Sequence, residues 1–384
     1  MTNILCIYHG NCADGFGAAW AVWKRFPDAQ FHPGVYGEAP PNVDGMDVVL
    51  VDFSYKKDVL GQIKDRARSV LILDHHKSAF EDLCDYKRAP ETWDEYYDQM
   101  WNNLDHMQWE HRPFIRALFD MERSGAMIAF QFFHPGVTVP AAIEHIQDRD
   151  LWRFEKPNTR EFQAALFSYP YEFELWNKLI MGSTQPLIND GIALERKHFK
   201  DVKELLKVTS RQMRIGEHMV WVANLPYTMA SDACHEMCYW PLDKEGEILT
   251  PFAASYYDTE DGRVFSLRSN GEFDVSEIAK EYGGGGHKNA AGFKMPIGWE
   301  GRTMTQDNEM PGVVALVKGP DGEIKLSQGF FGSPVVYHRH SPEAIEALDR
   351  IEKVLHDQFK HILKDENTFG ELLTIRRALT GEEQ

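Results

Sequence analysis

The chain opens with an apolar run at residues 3–9 (NILCIYH) that stops at the turn-prone GNCADG. A small-residue helical pattern follows over 16–25 and is ended by Pro27. A second apolar run at 46–53 (MDVVLVDF), an amphipathic helix at 58–68 and a third run at 69–73 (SVLIL) repeat the alternation. Near-continuous apolar strands between helices predict a parallel sheet covered on both faces. Ligands bind such sheets beyond the carboxyl ends of the strands. His9, Asp52 and the triplet Asp74, His75, His76 all fall at those ends.

Residues 89–112, rich in Trp, Tyr, acids and amides, are expected to form a helical insertion, either a lid or a solvated excursion. The patterns at 113–133 and 140–146 predict helices, the second running into Asp148, Arg149, Asp150, Leu151 and Trp152. Residues 189–214 are polar, helical and free of Pro, which suits a connecting helix. A second α/β unit follows. It should comprise a strand at 218–224, a helix at 231–239, paired strands at 252–257 and 264–268, a helix at 276–282, the run GGGGHKNAAGF and a strand near Phe293. Beyond 299 the chain alternates like a β-meander at 311–337, then reads as an amphipathic helix at 342–364. The expected fold class is bilobal α/β: a parallel-sheet lobe over 1–188, a helical linker over 189–215, a smaller α/β lobe over 216–298 and an extension over 299–384.

A length of 384 residues fits two or three domains and needs no disulfide or metal staple to fold. Charge changes the picture more: 41 basic against 59 acidic residues leave a net charge of −18. Non-specific affinity for long nucleic acid comes from Lys and Arg neutralising phosphates, so a long-duplex binder is disfavoured and short substrates are not. The five cysteines are odd in number and contain no CxxC pair. Cys234 and Cys238, flanking His235, read as helix-face thiols of a reduced cytoplasm sooner than as a soft-metal site. The amino terminus lacks a signal-peptide pattern and no apolar run is long enough to span a bilayer, so a cytoplasmic protein without membrane contact is expected.

Acids and imidazoles at strand ends carry the candidate chemistry. Hard divalent cations prefer carboxylate oxygens, and imidazole tunes a site toward manganese, iron, cobalt or zinc. Two such cations can activate a water and hold both oxygens of an in-line phosphoryl displacement. A single Asp or His in a loop is usually a solvated cap. Several at the ends of three adjacent strands are better read together as a metal centre.

Asp74, His75 and His76 after an apolar strand, with HGNCADGFGAAW before and VLVDFS between, resemble the DHH phosphoesterase superfamily. GGGGHKNAAGF, with Ser266, Leu267, Arg268 and Ser269 upstream, resembles the DHH-associated C-terminal domain; together the motifs span about residues 4–295. The nearest flavour is the nano-RNase type. The resemblance implies metal ligation by His9, Asp14, Asp52, His75 and one of Asp148 or Asp150, with Asp150 favoured and Asp52 the bridge. It gives Asp74 either a ligand's role or that of orienting His75, and puts His76 on the substrate phosphate or the attacking water. Many members carry a further Asp two residues before or after the acid of the DG pair. Here those positions hold Cys12 and Phe16, leaving one metal site poorer in carboxylate.

Consecutive glycines let backbone amides approach an anion, and a helix start after them would favour negative charge. Gly284, Gly285, Gly286, His287 and Lys288, with Arg268, are therefore candidate anion donors, and the resemblance implies that they hold the substrate's terminal nucleotide by phosphate or base; Ser231 and Asn224 are weaker candidates. Trp20 and Trp23 suit a helix core, whereas Tyr96, Trp101 and Trp109 are freer to stack bases. Ser124-Gly125 lacks a nucleophile elbow, and GGGGHK lacks the Walker spacing. The expected activity is hydrolysis of short oligoribonucleotides or dinucleotides to mononucleotides by a two-metal-activated water. Manganese is the favoured ion, with magnesium or cobalt as alternatives, and a homodimer is one assembly the chain admits. The rival readings are a phosphohydrolase of guanine nucleotides, alarmones, pAp or cyclic dinucleotides, and a nucleotide-binding regulator with a degraded metal site.

Overall fold

A computed structural model describes residues 3–105, 114–242, 249–301, 315–318 and 324–327. The amino-terminal half runs β1 (Ile4–His9), α1 (Ala13–Arg25), β2 (Gln30–Gly34), β3 (Asp47–Val51), α2 (Lys57–Lys64), β4 (Ser69–Asp74), α3 (Lys77–Leu83), α4 (Trp93–Asp105), β5 (Phe114–Phe119) and α5 (Gly125–Phe133). Helices α6 (Ala141–Asp150), α7 (Thr159–Leu166), α8 (Phe173–Met181) and the long α9 (Gln185–Thr209) follow. The first sheet is parallel throughout, in the order β2-β1-β3-β4-β5. Alternate residues of its inner strands feed two separate cores. Ile4, Cys6, Val49, Val51, Leu71 and Leu73 pack on one face with Trp20 and Phe130. Leu5, Ile7, Val48, Leu50, Val70 and Ile72 pack on the other with Leu60 and Ile63. The unbroken apolar strands thus mark a sheet buried on both sides.

The second sheet is built from β6 (Ser210–Ile215), β7 (His218–Asn224), β8 (Ala253–Thr259), β9 (Gly262–Arg268), β10 (Gly285–His287) and β11 (Ala290–Met295), with α10 (Ala230–Met237) and α11 (Val275–Glu281). Its order is β10-β11-β9-β8-β7-β6. The α/β class with a parallel amino-terminal sheet and a second sheet later in the chain is as the pattern implied. Residues 1–213 and 219–298 form one compact unit that holds both sheets' central strands. The described residues of 214–218 and beyond 298 belong to the other, in which β12 (Ala315–Lys318) and β13 (Ile324–Ser327) pair antiparallel. The helix read at 342–364 lies outside the described residues.

Three expectations are corrected. The pattern at 113–133 is not one helix: residues 114–119 are the edge strand β5, and the helix is confined to α5. The connecting helix stops at Thr209, and the chain enters β6 immediately. No helix follows the glycine run, which is the β10–β11 hairpin. A Cβ at Gly284 would lie 2.1 Å from the Gly292 carbonyl oxygen, so that glycine serves close strand packing.

Candidate active site

Because β1, β3 and β4 are parallel neighbours, their carboxyl ends bring His9, Asp52 and Asp74, His75 and His76 to one edge. Helix α1 adds Asp14 from its first turn, and α6 adds Asp150 from its last. Asp14, Asp52, Asp74 and His75 are buried, each at most 2 % exposed. Asp52 holds a left-handed φ of 53°, a conformation that non-glycine residues rarely adopt away from functional sites. The amino terminus of α5 presses on this cluster. The Gly125 and Ala126 amides donate to Asp14 at 2.6 and 3.0 Å, and a Cβ at Gly125 would lie 2.4 Å from the Asp52 Cβ.

Asp52 is the junction. Its Oδ2 lies 3.4 Å from His9 Nδ1, while its Oδ1 lies 3.0 Å from His75 Nε2. His75 Nε2 is also 3.7 Å from Asp14 and 3.6 Å from Asp150. Two donor groups therefore adjoin, each with donor atoms within 4.8 Å of one another: His9, Cys12 and Asp52 in one, Asp14, His75 and Asp150 in the other. Burial, and then the Asp150 and Asp52 charges, push the Asp14 carboxyl well above the usual range. Burial opposes ionisation of Asp52, yet His75 and His9 hold it below its usual value. Burial also opposes protonation of His75, but Asp150, Asp52 and Asp14 outweigh it. His75 Nδ1 is buried without a hydrogen-bond partner. Crowded carboxylates, imidazoles and an orphaned nitrogen fit divalent cations, which would be held by His9, Asp14, Asp52, His75 and Asp150.

Asp74 is occupied differently. It accepts from Ser54 Oγ at 2.6 Å and from the backbone amides of His75 and His76, and it pairs with His76 Nδ1 at 2.7 Å. The ring it orients is thus that of His76, where the sequence pointed to His75. His287, at the end of β10, stacks on His76 with ring centres 4.3 Å apart. Burial, then His76 and His75, push its pKa well below the ordinary value and keep it neutral.

Other candidates fall elsewhere. Asp148 faces away from the cluster and accepts from the Glu155 and Lys156 amides and from Thr159 Oγ1. Lys288 pairs with Glu272 at 2.7 Å, and Gly284 and Gly286 sit in tight hairpin contacts. Arg268 donates to Ser231 Oγ at 2.9 Å, while Asn224 is exposed at the end of β7. Cys234 and Cys238 are buried and donate to the Ser266 and Arg268 carbonyls, as helix-face thiols should. Tyr96 is 1 % exposed and belongs to the core; Trp109 lies outside the described residues.

Sequence reasoning passed over Arg149. Its guanidinium lies 4.1 Å from the Trp152 ring centre and 3.8 Å from Asp232, which also binds Arg160 and His198. The signal was present in the Asp148–Trp152 segment, but the flanking acids drew attention from the base between them. Cys12 was noted there only as a missing carboxylate, and the structure puts it beside His9 and Asp52.

Comparison with known proteins gives a family match at residues 245–327, to the DHHA1 domain. The match extends past residue 298 into the segment read as an extension. That match and the triplet Asp74, His75, His76 at the end of β4 lie in the order that the sequence resemblance expects. An uncharacterised protein (R106) of Acanthamoeba polyphaga mimivirus is 28% identical over 313 residues, 75% of this chain and 66% of that protein. The chain thus spans just under two thirds of that relative's length. Among solved structures, RecJ from Thermus thermophilus with Mn2+ is similar at 14% identity and a TM-score of 0.38, covering 76% of this chain and 49% of RecJ. The pGpG-specific phosphodiesterase PggH from Vibrio cholerae is similar at 12% identity and a TM-score of 0.32, covering 80% and 89%. No described helix is long and apolar enough to cross a membrane.

Proposed function

We propose that the protein is a divalent-metal-dependent phosphodiesterase that hydrolyses short oligoribonucleotides or dinucleotides to mononucleotides. The observation that carries this reading is the two-sided Asp52 carboxylate, one oxygen toward His9 and the other toward His75. Divalent cations in those donor groups would supply Lewis-acid charge to the phosphoryl oxygens and lower the pKa of a water. Asp74 holds His76 by Nδ1, leaving Nε2 as the nitrogen available to a phosphoryl oxygen. Neutral His287 can donate one hydrogen bond to the same group without adding positive charge to a site crowded with imidazoles. Arg268, fixed by Ser231, offers a forked donor for a terminal phosphate or a base edge. A net charge of −18 supports a short substrate, because a long polyanion would meet repulsion along most of the surface.

The test is a turnover panel with manganese: pApA, a pentanucleotide RNA, a long single strand, pAp, a cyclic dinucleotide and pppGpp, with Asp52→Ala and His75→Ala alongside. The dinucleotide should disappear fastest and both variants should be inactive. Consumption of pppGpp alone would replace the substrate class. Equal rates for wild type and variants on every substrate would overturn the enzyme.

A further inference from the structure

The donor group that contains Asp52 and the one that Asp52 reaches through His75 differ in chemistry. Asp14, His75 and Asp150 offer oxygen, nitrogen and oxygen; His9, Cys12 and Asp52 offer nitrogen, sulfur and oxygen. Cys12 stands at the N-cap of α1, where Ser, Thr, Asp or Asn would ordinarily accept from the first-turn amides. Its side chain caps nothing there. It lies instead with donor atoms of His9 and Asp52 within 4.8 Å, and Asn11 before it turns the chain through a left-handed φ of 54°. The close packing behind it is fixed, since a Cβ at Gly15 would lie 2.3 Å from the His9 carbonyl oxygen. His9 and the start of α1 therefore approach closely, and the residue at position 12 faces what His9 and Asp52 face.

We propose that Cys12 is a metal ligand, and that it makes the His9–Cys12–Asp52 position selective for a borderline divalent cation (zinc, cobalt or ferrous iron) over manganese or magnesium. The inference deepens the reading of a divalent-metal phosphodiesterase and rests on it. Thiolate and imidazole favour the softer first-row ions, whereas an all-oxygen set favours magnesium or manganese. Binding breaks the Cys12 S–H bond and forms a sulfur–metal bond; the proton goes to solvent, so uptake at this position releases acid. The Asp14–His75–Asp150 position also has one imidazole but offers a second carboxylate where the other has sulfur, so it is the harder of the two. The two positions should then fill with different ions when both kinds are offered.

The test uses the full-length protein stripped with a chelator and titrated with cobalt(II), read by absorption rather than by activity. A thiolate bound to cobalt gives a sulfur-to-metal charge-transfer band in the near ultraviolet, which oxygen and nitrogen donors do not. Wild type should develop this band as the first equivalent binds. Cys12→Ser and Cys12→Asp should lose it, and Cys84→Ser, which removes an exposed thiol far along the chain, should keep it. In equilibrium dialysis against mixed zinc and manganese, Cys12→Asp should lower the bound zinc-to-manganese ratio by about tenfold or more, as replacement of a ligand should exceed the cost of losing a supporting partner. If cobalt binds without the band, or the band survives in Cys12→Ser, the proposal falls while the metal-dependent enzyme stands. If wild type binds no cobalt, zinc or manganese at all, the proposal falls together with the reading beneath it.

Discussion

Asp148 and Asp150 stand two residues apart on α6, and at 3.6 residues per turn about 200° of rotation separates their side chains. That rotation gives them opposite tasks. Asp148 closes the loop after α6, with two backbone amides and a hydroxyl donating to it. Asp150 turns to His75, where burial raises its pKa and the imidazole acts against that rise. Asp148→Asn should therefore destabilise the fold by about 1–3 kcal/mol, since an amide hydrogen then faces donors. Activity per folded molecule should be kept. Asp150→Asn should leave stability nearly unchanged and lower turnover at least about 100-fold, as displacement of a positioned group does. Melting curves and rates on the same preparations separate the two, and equal losses in both variants would contradict the assignment. The gathering of the candidate residues at one sheet edge was legible at this scale because His9, Asp52 and Asp74 to His76 end or follow three recognisable strands. The choice between Asp148 and Asp150 was not, since it depends on which side of α6 meets the sheet. Cys12 and Arg149 were obscured for a related reason: a thiol or a guanidinium beside acids acquires a role only from what the fold sets opposite it.

Among elements, the strands apolar on both faces were readable, and those that departed from that pattern were not. β2 (QFHPG) is polar and holds Pro33, which the sheet tolerates because β2 is an edge strand. β5 (FIRALF) is a short apolar run that periodicity alone cannot tell from helix. The glycine run misled because a phosphate cradle and a tight hairpin demand the same absence of Cβ. Helix α10 was expected near its observed place, and its contacts set a pH dependence. His235 stacks on Trp152 with ring centres 4.2 Å apart. Burial, then the Arg268 charge, push its pKa down to about 4 from the ordinary 6.5. Between those values the unfolded chain binds the proton and the folded chain does not, so this group's contribution to stability falls as pH drops through the window. The melting temperature of wild type should decline on acidification from about pH 7 to about pH 4.5 more steeply than that of His235→Gln. Parallel curves would show that His235 takes up its proton in the fold as readily as out of it.

Across the whole molecule, a chain with 59 acidic and 41 basic residues buries the carboxylates of Asp14, Asp52 and Asp74 and draws Asp150 in beside them. Hydrogen bonds to amides, Ser54 and imidazoles offset part of that concentration of negative charge, and Asp14 remains above its ordinary pKa for want of more. On the proposed reading, cations bound only by the folded chain would make up the difference, and by mass action they would stabilise it by about 2.7 kcal/mol at a free concentration one hundred times the dissociation constant. Chelation should accordingly lower the melting temperature by several degrees, and added manganese or zinc should restore it. Asp150→Asn removes one of the repelling charges. Its chelated form should melt at or above the temperature of chelated wild type, and its gain on adding metal should shrink. Were chelated and metal-loaded wild type to melt together, the carboxylates would be balanced within the protein itself, and the cluster would be a structural core in place of a metal centre.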